Sequence, residues 1–136
     1  MPREEIQAPE EPARLVQHEP VDVLLTHRRS QGEERTVLAG RSSTQHLRPN
    51  GAIVIVRPPF EPARPSPVKR GDAVHARFKR TGRVPLEAEG VVSWIRPKAF
   101  LPSGLAVSLV GITFDWDPDE MGLEVAAFLA RHSLRP

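Results

Sequence analysis

Five prolines at positions 58, 59, 62, 65 and 67 interrupt this 136-residue chain near its middle. Proline has a fixed φ and no backbone N–H, so the stretch "RPPFEPARPSPVKRG" can form no regular ladder and stiffens towards polyproline II. The spacing predicts a long loop at the edge of a sheet or barrel. Regular elements must lie to either side of it.

On the N-terminal side, residues 1–13 mix Pro, Glu and Ala without periodicity and bury too little to offset the entropy of ordering, so they are expected to form a tail ahead of one domain at 14–136. "PVDVLLTHRR" then puts Val21, Val23 and Leu25 on one face and Asp22 and Leu24 on the other, a strand pattern. "RTVLAGRSST" alternates weakly and is predicted to pair with it through a loop at Gly32. Gly51 opens "GAIVIVRP", whose β-branched Ile53, Val54, Ile55 and Val56 favour a strand over a helix.

Beyond the prolines, "DAVHARFKR" alternates Val74, Ala76 and Phe78 with His75, Arg77 and Lys79. "LEAEGVVSWIRP" is a further strand, expected to stop at Pro97. "LAVSLVGITF" supplies Leu105, Val107 and Leu109, then Ile112 and Phe114 in a changed phase, which predicts a bulge near Gly111. Six closely spaced strands without an intervening helix indicate an antiparallel barrel or sandwich. Trp94 and Phe78 share the phase of apolar neighbours and are expected in the core. A helix over about 118–132 follows: Asp117 caps it, Pro118 takes its first position, and Glu120 stands in a capping-box arrangement. Its Met121, Val125, Phe128, Leu129 and His132 recur at spacings of three and four, a face that should pack on the barrel.

Charge is unevenly spread. Residues 57–83 carry eight basic and two acidic side chains, a net +6, while residues 1–20 and 115–136 are each net −3. Such a middle suits phosphates or an acidic protein face, and is equally met as a solvated strand surface. The chain has no Cys, so a disulfide frame, a thiolate zinc site and a cysteine nucleophile are excluded. Five scattered His make a metal site unexpected. With no signal-like segment and no apolar run of membrane-spanning length, a cytoplasmic protein without membrane insertion is expected.

No motif of nucleophile, base and orienting acid is present, nor a phosphate-cradling glycine loop, so an enzyme is not expected. The acidic group Asp115, Asp117, Asp119 and Glu120 lacks the later Gly and Glu of a calcium loop and reads as helix capping.

The order of elements, with "VVSWIRP" and "GLAVSLVGITF" placed like penultimate and last barrel strands, resembles the PilZ family over roughly residues 14–132. That resemblance implies a six-stranded antiparallel β-barrel capped by a C-terminal α-helix. It also implies a possible cyclic di-GMP site, which in the family uses Arg-x-x-x-Arg before the first strand and Asp/Asn-x-Ser-x-x-Gly leading into another. Here Arg14 and Gly51 match, whereas His18, His46 and Arg48 stand where the family has Arg, Asp or Asn, and Ser. Neutral His cannot make Arg's bidentate fork, and Arg48 offers donors where guanine needs an acceptor. Losing two or three contacts of roughly 1–3 kcal/mol each weakens binding by orders of magnitude. Arg28 and Arg29 are a further basic pair at the wrong spacing.

The resemblance thus implies a regulatory adaptor, in bacterial motility or surface behaviour, that needs no cofactor; a protein partner is expected at the basic proline-rich loop, through Arg57, Arg64, Lys69 and Arg70, and at the free face of the terminal helix. A divergent cyclic di-GMP receptor using Arg14, Arg48 and Gly51 is the first alternative. A small basic barrel that binds nucleic acid is the second, disfavoured by sparse aromatics.

Overall fold

The computed structural model describes residues 20–27, 36–44 and 46–130. The expected tail, the loop at Gly32, Arg28 and Arg29 lie outside them. The elements are β1 (Pro20–His27), β2 (Thr36–Ser43), β3 (Leu47–Arg48), β4 (Gly51–Val56), β5 (Ala73–Lys79), β6 (Leu86–Phe100), β7 (Ala106–Phe114) and α1 (Pro118–Leu129). Every strand pairing is antiparallel, in the order β2-β1-β5-β6-β7-β4-β3. A further pairing of β2 with β4, at Arg41 and Ile55, closes six of the strands into a barrel. The two-residue β3 is an addition to the six expected, paired only with β4 among the described strands.

Closure depends on Gly40. A Cβ there would stand 2.7 Å from Val54 Cγ1 and 2.8 Å from the Ile55 carbonyl oxygen, so β2 reaches β4 only because position 40 has no side chain. Inside the barrel, the period-two faces of β1 (Val21, Val23, Leu25), β5 (Val74, Ala76, Phe78) and β7 (Val110, Ile112, Phe114) form one buried cluster. Phe78 is fully buried, as its phase predicts, and meets Phe114 edge-on with centroids 5.8 Å apart. A second cluster lies on the other face of β4, β6 and β7, from Ile53, Ile55, Ala99, Val107 and Leu109. All six residues of β4 are therefore buried.

That second cluster corrects two expectations. β7 pairs with β4 without a break from Gly51–Thr113 to Val56–Ser108, so there is no bulge in β7 at Gly111; its apparent change of phase reflects apolar residues on both faces. The extra residue is in the partner strand, where the register slips between Val92 and Trp94. Ser93 occupies the slip and turns Trp94 outward. Trp94 is consequently half-buried on the outer cluster and not in the barrel core. Its indole covers Gly111, where any Cβ would stand among the ring atoms. A second slip between Arg96 and Ala99 carries β6 past Pro97, where the strand was expected to stop, to Phe100. A proline without an N–H is tolerated in such an irregularity.

The terminal helix packs as its apolar face predicts, with Val125 and Phe128 buried in the barrel cluster. Asp117 caps it by accepting from the Asp119 N–H at 2.9 Å. The helix ends at Leu129, short of the expected 132, because Ala130 turns to an extended conformation (φ −55°, ψ 142°). No basic residue stands in its last turn. The cations come instead from the β5–β6 loop: Arg80 donates to the carbonyls of Phe128 (2.7 Å) and Ala130 (2.8 Å), and Arg83 also donates to Ala130. Both neutralise the negative end of the helix dipole. Burial first, and then the Arg83 charge, draw the Arg80 pKa below its ordinary value.

The overlap of Gly111 with Trp94 yields a test. Gly111→Ala should destabilise the protein by about 1–3 kcal/mol, the usual cost of overpacking, in denaturant unfolding. Adding Trp94→Ala should make the two changes non-additive, with the alanine at 111 costing less once the ring is gone. Strict additivity would contradict the packing described.

Candidate functional site

His46, Arg48 and Gly51 are brought into one hairpin. His46 donates its backbone N–H to the Ser43 carbonyl and accepts from the Ile53 N–H, both at 3.0 Å, which fixes the turn from β2 into β3. Arg48 pairs with Gly51 across β3 and β4 and is exposed, while Gly51 is buried. The tip is anchored from the other side: the Trp116 indole N–H donates to the Pro49 carbonyl at 2.5 Å, and the Phe114 N–H to the Asn50 carbonyl at 3.0 Å. Arg14 and His18 lie outside the described residues.

Gly51 stands opposite Thr113 on β7, and Thr113 opposite Val91 on β6. This row runs into a cleft of about 300 Å³ lined by Arg70, Gly71, Val91, Ser93, Thr113 and Asp115, among others. Ser93 and Thr113 share a hydrogen bond between their hydroxyls within it. The sequence placed Arg70 with the proline-rich loop and gave no reason to set it in a cleft beside Thr113, the partner of Gly51.

Of the four loop cations expected to form one partner surface, Arg57 and Arg70 line different clefts. Arg57, Arg64, Lys69 and Arg70 are all exposed. Arg57, at the end of β4, lines a second cleft, of about 400 Å³, with Asp22, Ala39, Gly40, Arg41 and Ile55. Arg64 sits in a turn whose backbone bonds with Glu61 run both ways, at 2.9 and 3.1 Å. The Lys69 N–H donates to the Asp72 carboxylate at 2.8 Å. Arg57 and Arg70 therefore serve different clefts, because the loop crosses from the end of β4 to the start of β5.

The same crossing makes the loop part of the fold. Val68 is fully buried in the barrel cluster and Phe60 packs against it. Ser108, wholly buried on β7, accepts from the Phe60 N–H at 2.7 Å and donates to the Pro97 carbonyl at 2.6 Å. One hydroxyl thus ties the loop to the irregular part of β6. The loop delivers the chain to the start of β5, and Arg80, just past the end of that strand, meets the last carbonyls of α1.

Two histidine–carboxylate pairs form, His75 Nε2 with Glu87 Oε1 at 3.2 Å on the outer face, and His27, whose Nε2 is buried, with Asp72 Oδ2 at 3.6 Å. Thr26, opposite His75, donates its hydroxyl to the His75 carbonyl (3.4 Å). Among the described residues, no three His, Asp or Glu side chains converge as a metal set requires. No helix among them is long and apolar enough to cross a membrane.

Ser108→Ala should leave the Phe60 N–H and Pro97 carbonyl without their partner and cost about 1–3 kcal/mol in denaturant unfolding. Hydrogen exchange at the Phe60 amide should accelerate with it; unchanged exchange would mean that the hydroxyl does not hold the loop.

Comparison of the chain with protein-family models, with curated proteins and with solved structures yields no match.

Proposed function

We propose that this chain is a non-enzymatic, PilZ-like regulatory module that works by binding another protein, in bacterial motility or surface behaviour, with cyclic di-GMP recognition weak or lost. The observation that carries the reading is the hairpin around Gly51. The segment standing where a PilZ domain would accept a guanine is committed to structure. The His46 backbone is bonded on both sides, and Leu47 is buried in the core. Arg48, at the remaining position, is donor-only. A barrel and helix retained beside a hairpin without the acceptor groups fits an interaction scaffold better than a nucleotide receptor.

A second reading, a divergent cyclic di-GMP receptor, is favoured by one observation. Arg70 and the hydroxyls of Ser93 and Thr113 line a cleft on the row of Gly51. Arg70 and Arg48 would then hold phosphates, with no acidic side chain at the family's position to read the base.

Isothermal titration calorimetry with cyclic di-GMP separates the two, run on the full chain and on an Arg14→Ala, Arg48→Ala variant at near-physiological salt. The proposed function predicts no saturable heat from protein shown to be folded. Micromolar or tighter binding that the variant loses would make the chain a second-messenger receptor instead.

A further inference from the structure

The outer wall of the barrel gathers charges that the sequence scatters over four strands. Lys79 on β5 stands opposite Asp22 on β1, Asp22 opposite Arg41 on β2, and Arg41 opposite Ile55 on β4. In the neighbouring row Arg77 stands opposite Leu24, and Leu24 opposite Ala39. Arg57 follows Ile55 by two residues and lines the same cleft. Arg41, Arg57, Arg77 and Lys79 are all exposed. Asp22 is the one acid in these rows, and Glu87, opposite Arg77 on β6, bounds them.

The cleft has an apolar floor and cationic sides. Ile55 and the backbone of Gly40 form its base, with Arg41 and Arg57 at its rim. Arg41 Nε lies 3.6 Å from Asp22 Oδ1, but the two side chains are 64% and 70% exposed. A pair so solvated is worth little, and a carboxylate from a ligand can compete for the guanidinium.

Among the described residues, the backbone beside the cleft also keeps one edge without a ladder. β2 and β4 share a single bridge, and Pro58 and Pro59 have no N–H with which to extend it. Beyond Arg41, the segment Thr36–Ala39 of β2 is therefore paired only with β1 among the described strands. An open strand edge of this kind accepts an added extended chain.

Resting on the protein-binding reading above, we propose that this cleft docks an extended acidic segment of a protein partner. The segment adds to the edge of β2 at Thr36–Ala39 and sets its carboxylates against Arg41 and Arg57. Arg77 and Lys79 extend the attracting field along the wall. Charge complementarity selects an anionic occupant, and the open edge selects a polypeptide. A single-stranded nucleic acid would use aromatic stacking, and the cleft lining contains no aromatic residue.

Fluorescence anisotropy tests this with two labelled probes, an acidic peptide of alternating Glu and Thr and an oligothymidylate, at near-physiological salt. The proteins are the full wild-type chain, an Arg41→Glu, Arg57→Glu variant, and an Arg64→Glu, Lys69→Glu variant that changes net charge by the same amount. The wild type should bind the peptide, the cleft variant should bind it at least tenfold more weakly, and the loop variant should bind as the wild type does. Thermal melting checks the fold; if the charge reversal unfolds the protein, Arg41→Gln with Arg57→Gln replaces it and should still weaken the peptide severalfold. Equal loss in the cleft and loop variants, or no loss in either, overturns the cleft while leaving a protein-binding module intact. Oligothymidylate bound more tightly than the peptide and lost in the cleft variant overturns the choice of occupant. A wild type that ignores the peptide overturns the proposal, and the protein-binding reading falls with it only if cyclic di-GMP gives saturable heat.

Discussion

β2 and β4 come together only because position 40 is a glycine. A methyl group there would press on Val54 and on the Ile55 carbonyl, and the sheet would remain open between two strands. Once they touch, six strands share one interior and Val21, Phe78, Ile112 and Phe114 bury one another instead of facing water. The contact is brief, one bridge: on one side the prolines after Arg57 offer no N–H, and on the other β4 gives its edge to His46 and β3. Gly40 thus permits closure while the prolines limit it, and the cleft lined by Arg41 and Arg57 lies beside the short seam.

The barrel core is covered by two unlike devices, each fixed by a few polar contacts. The helix drops Val125 and Phe128 into the core, while Arg80 and Arg83 hold its last carbonyls. Val68 and Phe60 bring the proline-rich loop onto the same core and Ser108 anchors it. Proline stiffness alone would leave such a loop standing away from the barrel. The buried hydroxyl turns it into a wall, and this is why Arg57 and Arg70, thirteen positions apart by their numbers, end beside different clefts.

Much of the fold was legible where one face of an element is wet. β1 and β5 alternate cleanly because their outer residues, such as Asp22, Arg77 and Lys79, are exposed, and α1 shows its cap and its apolar stripe for the same reason. Legibility failed where both faces are covered. In β7 the residues of two clusters interleave, so a strand in unbroken register with β4 looked bulged, while the true bulge at Ser93 of β6 left no mark in composition. Trp94 was misplaced by that one residue, since a single slip moves every later side chain to the other face.

Of the candidate residues, local sequence determined that His46, Arg48 and Gly51 share a turn, because they are neighbours in the chain and Gly51 begins a β-branched strand. It determined the alternating strands, the terminal helix and the basic middle as well, since these depend on spacing and on residue chemistry. Only the tertiary structure decided that Arg41 and Asp22 join Arg57, that Arg70 lines a cleft with Thr113, the partner of Gly51, and that Trp94 faces outward. Those placements follow from strand register and barrel closure, which depend on contacts between segments far apart in the chain and leave no periodic signal in either one.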